Sequence, residues 1–282
     1  MYTYSLLEKI LFLPAALNTN RLQKSLCNKT ILITGASSGI GKSIAYRLSE
    51  TGAHLILVAR REHLLQAIRK DLEKSNVEVS IVQADLRKPD ELQRLLTFIH
   101  QLPNGLDIVV SNAGLSIRRP IRQSLDRVHD FTRTMAINYE APVQLLLSVI
   151  PLLAKKQGHI VNISTINALL LPVPYWTAYQ ASKTAFDVWL RSAEAELRMM
   201  GITVTSVYLP LVRTPMILPT AAYRKMPAMD PDHTAVIVCR SMYTKKRVYR
   251  PWWLIYGQVA SVLFRRIGET IMAGAVKRKE DK

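Results

Sequence analysis

Six short apolar runs rich in β-branched residues recur between residues 30 and 208, separated by longer segments with helical spacing. The runs are Thr30–Thr34, His54–Val58, Glu78–Gln83, Asp107–Val110, His159–Ser164 and Thr203–Tyr208. Helices are predicted among them near Ile40–Thr51, His63–Lys74, Asp90–His100, Ala141–Lys155 and Tyr179–Met200. Strands that are apolar almost throughout must be covered on both faces, which requires parallel pairing with helical crossovers.

Right-handed crossovers then predict an α/β fold: a Rossmann-like, doubly wound parallel sheet with helices on both faces. With 282 residues, 49% of them hydrophobic, the chain can bury one large core. Residues 1–28 precede the first strand as an N-terminal helical extension. Residues 29–250 form the main domain. Within it 211–250, with Pro215, Pro219, Pro227 and Pro231, is predicted as a loop-and-helix lid over the ligand. Residues 251–282 are a basic, aromatic C-terminal segment containing Trp252, Trp253, Phe264, Arg265, Arg266, Lys277 and Arg278.

Cys27 and Cys239 are far apart in sequence, which excludes a disulfide scaffold and a cysteine metal site and suits a reducing compartment. No stretch reaches the roughly 18–20 uninterrupted apolar residues of a spanning helix. Glu8 and Lys9 interrupt the N-terminal apolar segment, which lacks the basic start and cleavage site of a signal peptide. A cytoplasmic protein is expected. The formal charge of +17 points to an anionic partner. No zinc-finger, helix-turn-helix or RNA-binding signature accompanies it, so no nucleic acid is expected. The C-terminal segment is expected either to touch an anionic membrane surface or to close the core or a subunit interface.

The segment Thr34-Gly35-Ala36-Ser37-Ser38-Gly39-Ile40-Gly41 joins the first strand to the first helix. Glycines there let the backbone turn tightly and approach a pyrophosphate at the positive helix end. The second strand ends Val58-Ala59-Arg60-Arg61, with no carboxylate for a ribose 2′-hydroxyl. Arg60 instead offers forked hydrogen bonds to a 2′-phosphate, so NADP(H) is the expected cofactor. Tyr179 and Lys183, four apart on a helix, share one face. A nearby ammonium is expected to lower the phenol pKa toward a catalytically useful range.

These motifs, with Asp85-Leu86, Ser111-Asn112-Ala113-Gly114, Asn138, Tyr179-Gln180-Ala181-Ser182-Lys183 and the turn before Thr214, resemble the short-chain dehydrogenases/reductases over about Lys29 to Thr214. The resemblance implies that Tyr179 protonates a carbonyl oxygen while Lys183 holds the nicotinamide ribose. It places the adenine at Asp85, a natural helix cap on other grounds, beside Leu86, and the adenine ribose at Asn112, Ala113 and Gly114. Asn138 supports a water link to Lys183, and Pro210, Val212 and Thr214 meet the nicotinamide. Asn162-Ile163-Ser164-Thr165 resembles the family's N-x-S-S stretch, whose register gives the carbonyl-polarising role to Thr165, with Ser164 as the alternative. Homo-oligomers are expected by the same resemblance.

Arg118-Arg119-Pro120, Asp126–Phe131, Met135–Tyr139 and Leu209–Thr220, with Tyr223 and Pro227, resemble bacterial short-chain-type fatty acyl-CoA reductases. That likeness implies an NADPH-dependent reductase of a small apolar carbonyl substrate, long-chain acyl-CoA or fatty aldehyde. The alternatives are a reductase or dehydrogenase of another apolar ketone or alcohol, and a non-catalytic NADP-binding regulator. Met216-Ile217-Leu218, Met226 and Met229 are candidates for an acyl-chain surface, or for the packing of a lid. Arg118, Arg119 and Arg213 are candidates for CoA phosphates, or solvated loop charges.

Overall fold

The computed structural model describes residues 4–223 and 225–280. Residues 1–3 of the expected extension, Arg224 of the expected lid and 281–282 of the C-terminal segment lie outside the described residues. Among the described residues the core is a seven-stranded sheet in which every neighbouring pair is parallel. Its strands are β1 (Thr30–Thr34), β2 (His54–Ala59), β3 (Glu78–Gln83), β4 (Ile108–Ser111), β5 (His159–Thr165), β6 (Thr203–Leu209) and β7 (Val248–Tyr249). Their order, β3-β2-β1-β4-β5-β6-β7, reverses direction between β1 and β4. Chains leaving β1 and β4 diverge there and open a crevice beyond the strand ends.

Alternate residues along each strand serve opposite faces. Ile31, Ile33, Leu55, Leu57, Val161 and Val207 form one core with α2 (Thr19–Leu26), α3 (Gly39–Arg47), α4 (Glu62–Leu72) and α9 (Pro231–Thr244). Leu32, Ile56, Val58, Val109, Ile160 and Val204 form the other with α5 (Pro89–His100), α7 (Ala141–Lys155) and α8 (Thr177–Met199). Each such aliphatic side chain, wholly removed from water, contributes about 1.5–3 kcal/mol. These strands and helices start and end within a few residues of their sequence positions.

Three segments depart from expectation. The extension is two helices, α1 (Leu6–Leu11) and α2, because Ser5 and Asn18 each cap a separate start, with Pro14 between them. The 211–250 stretch is not one lid. Its α9 packs on α3 and buries Ala235, Val238, Cys239 and Met242, so only the part before Asp230 borders the crevice. Further, α6 (Val128–Met135) runs through a π-helical turn, Ala136–Glu140, into α7. By length and apolar composition the run 128–155 matches a membrane span, yet Leu145, Leu146, Val149 and Leu153 are buried against the sheet. The chain ends in α10 (Leu254–Leu263) and α11 (Arg265–Glu280).

Candidate active site

A cleft of about 560 Å³ opens at the β1/β4 reversal. The glycine turn forms its floor. Gly35 and Gly39 take φ values of +68° and +55°, which side chains strain to adopt. A Cβ on Gly41 would stand 2.5 Å from the Gly35 carbonyl oxygen, so Gly41 sits behind the wall and lets α3 close on the turn. Asn112 Nδ2 donates to the Thr34 and Gly35 carbonyls (2.9 and 3.2 Å). The Asn112 and Ala113 amides both donate to the Thr34 hydroxyl at 3.0 Å. The turn is thereby locked to the end of β4. Ser37, Ser38, Gly39, Ile40, Ala113 and Gly114 all border the cleft.

One end of the cleft is cationic. Arg60 lines it, as expected, with a largely exposed guanidinium 4.0 Å from Asp85. Its neighbour Arg61 is placed more closely. Arg61 Nη2 donates to the Ser37 and Ser38 hydroxyls at 3.1 and 2.8 Å, beside the N-terminus of α3. Asp85 and Leu86 border the cleft, but Asp85 caps no helix; Lys88 holds the cap position of α5. Asp85 accepts the Arg87 guanidinium at 2.9 and 2.5 Å, and these bonds hold its carboxyl below the usual range.

The other end holds the Tyr179 and Lys183 pair. Tyr179 and Lys183 lie on the first turns of α8 and face the cleft beside Ser164 and Thr165. Thr165 lies close enough to the Tyr179 hydroxyl to favour its ionised form, and Ser164 borders the cleft beside it. Lys183 Nζ donates to the Ile163 carbonyl at 3.1 Å. The expected lowering of the phenol pKa is not found. Burial pushes Tyr179 up to about 12, and Thr165 only partly opposes it. Burial also lowers Lys183 to about 8. Asn138, in the π-helical turn, stands behind the wall. Its Nδ2 donates to Leu115 O and Ser182 Oγ, and its Oδ1 accepts from Leu115 N, all at 2.9 Å. Insertions of this kind in a helix re-aim a side chain.

Beyond Tyr179 the walls become apolar. Val173 and Trp176 precede α8, and Pro210, Leu211, Val212, Thr214, Met216, Ile217 and Met226 follow β6. Gln180 pins the first wall, accepting from Val173 N (2.8 Å) and donating to Asn167 O (2.7 Å). Trp176 Nε1 donates to the Tyr223 hydroxyl at 2.5 Å, joining the two walls. Met229 is not part of this surface: it is fully buried and pairs in a bridge with Val212. Arg213 is paired with Glu8 and with the Ala228 carbonyl, so it is not a solvated loop charge. Arg119 binds the buried Asp130 at 3.0 Å together with Arg127, while Arg118 lies over the Tyr175 and Trp176 rings. Among the described residues no His, Cys, Asp and Glu cluster is arranged to hold a metal.

Parallel sheet order, glycine turn and the Tyr-x-x-x-Lys pair at the crevice define an oxidoreductase fold and site. The chain belongs to the short-chain dehydrogenase family, whose sequence profile matches residues 29–224. It is 42% identical over 211 residues to a fatty acyl-CoA reductase of Acinetobacter baylyi, covering 74% of this chain and 71% of that protein. A fatty acyl-CoA reductase of Mycobacterium tuberculosis is 39% identical over 211 residues, covering 74% and 72%. A solved short-chain dehydrogenase from Sphingobium yanoikuyae in complex with NADPH superposes with a TM-score of 0.74 at 27% identity, covering 86% of this chain and 95% of that one.

Proposed function

We propose that this protein is an NADPH-dependent reductase of a long-chain acyl thioester, releasing a fatty aldehyde and CoA. The observation that carries the reading is the continuity of one cleft. It runs from a cationic glycine cradle, past Tyr179 and Thr165, into apolar walls of Val173, Trp176, Met216, Ile217 and Met226. The likeness to two acyl-CoA reductases, and to a structure holding NADPH, supports it.

The cradle suits a dinucleotide. A side chain at Gly39 would meet Thr214 at 2.9 Å, so only glycine leaves room for a pyrophosphate to approach the α3 N-terminus. Arg60 and Arg61 would supply charge for a 2′-phosphate, and Lys183 would hold the ribose hydroxyls. When bound, the reduced nicotinamide supplies hydride to the carbonyl carbon.

Tyr179 and Thr165 hold the carbonyl oxygen by hydrogen bonds, and their grip strengthens as negative charge develops there. A phenol with a pKa near 12 keeps its proton at neutral pH, ready for donation to an oxyanion. With a thioester, collapse of the tetrahedral oxyanion breaks the carbon–sulfur bond and expels the thiolate, which takes up a proton. With an aldehyde, the Tyr179 proton stays on the product alcohol. Asn138 acts as a positioning residue, tying Leu115, in the segment after β4, to Ser182 of α8. The test follows NADPH oxidation and free thiol together in the presence of a long-chain acyl-CoA. One thiol per NADPH is expected. Turnover of aldehydes alone, with no thiol released from acyl-CoA, would overturn the thioester assignment.

A further inference from the structure

Helices at the two ends of the chain leave most of their apolar residues outside. In α10, Gly257, Gln258 and Ser261 face the protein with Leu254, while Ile255, Tyr256, Val259, Val262 and Leu263 face outward. Val262 and Leu263 are 78% and 70% exposed. In α1 the carboxylate of Glu8 is buried, whereas Leu6, Leu7 and Ile10 are exposed. An ordinary surface helix does the reverse. The two helices share one face of the molecule: Trp252 and Trp253 donate Nε1 to the Ile10 and Leu11 carbonyls, at 3.0 and 3.2 Å. Beyond them α11 exposes Ile267 and Ile271 beside Arg265 and Arg266. Contiguous apolar surface of this kind marks a binding face.

The same helices bracket the cleft. Glu8 accepts from the Ala228 amide at 3.1 Å and pairs with Arg213, anchoring the wall that carries Met216 and Met226. On the opposite side, Gly257 and Gly268 let α10 and α11 close on Leu170 and Leu171; Cβ atoms there would lie 3.3 and 2.8 Å from those leucines. That loop leads directly to Val173 and Trp176.

We infer that this face docks on an anionic lipid bilayer, with α1 and α10 in the headgroup–acyl boundary. Charge selects the occupant. Residues 250–282 carry seven Lys and Arg against three acids, in a chain of net charge +17. A second copy would set this positive charge against itself, whereas an anionic leaflet neutralises it. Tryptophans at such a rim hold one polar end and one apolar body, as Trp252 does. The docking stands independently of the substrate; only the idea that the bilayer delivers the acyl chain rests on the function proposed above.

The test is co-sedimentation of the full chain with phosphatidylcholine vesicles, with and without phosphatidylglycerol, at low and high salt. Binding is expected to prefer anionic vesicles and to weaken about tenfold or more in high salt. The double substitution Val262→Glu, Leu263→Glu is expected to weaken it by a similar factor, with the melting temperature and the turnover of a short, soluble aldehyde unchanged. Indifference to phosphatidylglycerol, or equal binding by the double variant, would overturn the inference. So would a dimer that the double substitution dissociates without any vesicle binding, which would assign the face to a second copy. Because the readout is sedimentation, failure of acyl-CoA reduction leaves it interpretable.

Discussion

The two ends of the cleft are built by opposite strategies. The cationic end is floored by backbone: eight consecutive residues, Thr34 to Gly41, shape the turn, Asn112 and Thr34 lock it in place, and Arg60 and Arg61 add the charge. The apolar end is made by side chains from distant segments, some held by bonds such as Glu8 to Ala228, 220 residues apart. A backbone cradle binds what every member of a fold shares, and tolerates little change. A wall assembled from remote loops can be altered one side chain at a time, which is how one scaffold serves many substrates.

The sharpest division between the ends comes from Tyr179→Phe. Loss of the proton donor is expected to reduce turnover about 10²–10⁴-fold while NADPH binding, measured by fluorescence titration, stays unchanged. A variant retaining most of its activity would remove Tyr179 from the chemistry. Gly41→Ala attacks the backbone end. Its methyl would meet the Gly35 carbonyl, and neither partner is a flexible side chain. A cost of about 1–3 kcal/mol is expected, seen as a lower melting temperature together with weakened cofactor binding. Normal NADPH affinity in that variant would show that the turn has slack.

Arg61→Ala is expected to weaken NADPH by about 10–100-fold and NADH far less, since charge-assisted bonds to a phosphate carry about 1.5–3 kcal/mol. Arg60→Ala, on the more exposed guanidinium, should do less. Equal losses for both cofactors would assign Arg61 to the pyrophosphate instead. Glu8→Gln probes the remote wall and has the smallest expected effect: a few-fold higher KM for long-chain substrates with NADPH affinity unaltered. Burial alone would raise the Glu8 pKa, but bonds from Ser5, Ala228 and Arg213 bring it down to about 2. The carboxylate thus contributes stability fully above its ordinary pKa of about 4.3, and that stability is lost as pH falls toward 2. Acid melts of the Glu8→Gln variant should lack this slope.

The same contrast explains what was legible in the sequence. The glycine turn, Tyr179 with Lys183, and the six apolar strands announce themselves by local spacing, because local geometry creates them. The Arg61 position was not readable, since two adjacent arginines after a strand look alike until the serines of the turn come within reach. Glu8 reads as a polar interruption of an apolar segment; only its bonds to Ala228 and Arg213, far away in the chain, explain why it is buried. Met229 reads in the sequence either as acyl surface or as lid packing; its bridge to Val212 turns it into the core. Lys183 was expected to tune Tyr179 as a neighbouring charge, whereas burial of both groups dominates. Burial depends on the whole fold, and spacing alone does not report it.

The proposal that the apolar end of the cleft reads an acyl chain is tested most directly by kcat/KM across saturated acyl-CoA substrates of increasing length. Each buried methylene is worth about 0.8 kcal/mol, so specificity should climb by up to about fourfold per carbon until the walls are filled. A profile that is flat or falls with chain length would contradict the account and move the substrate to a different apolar carbonyl.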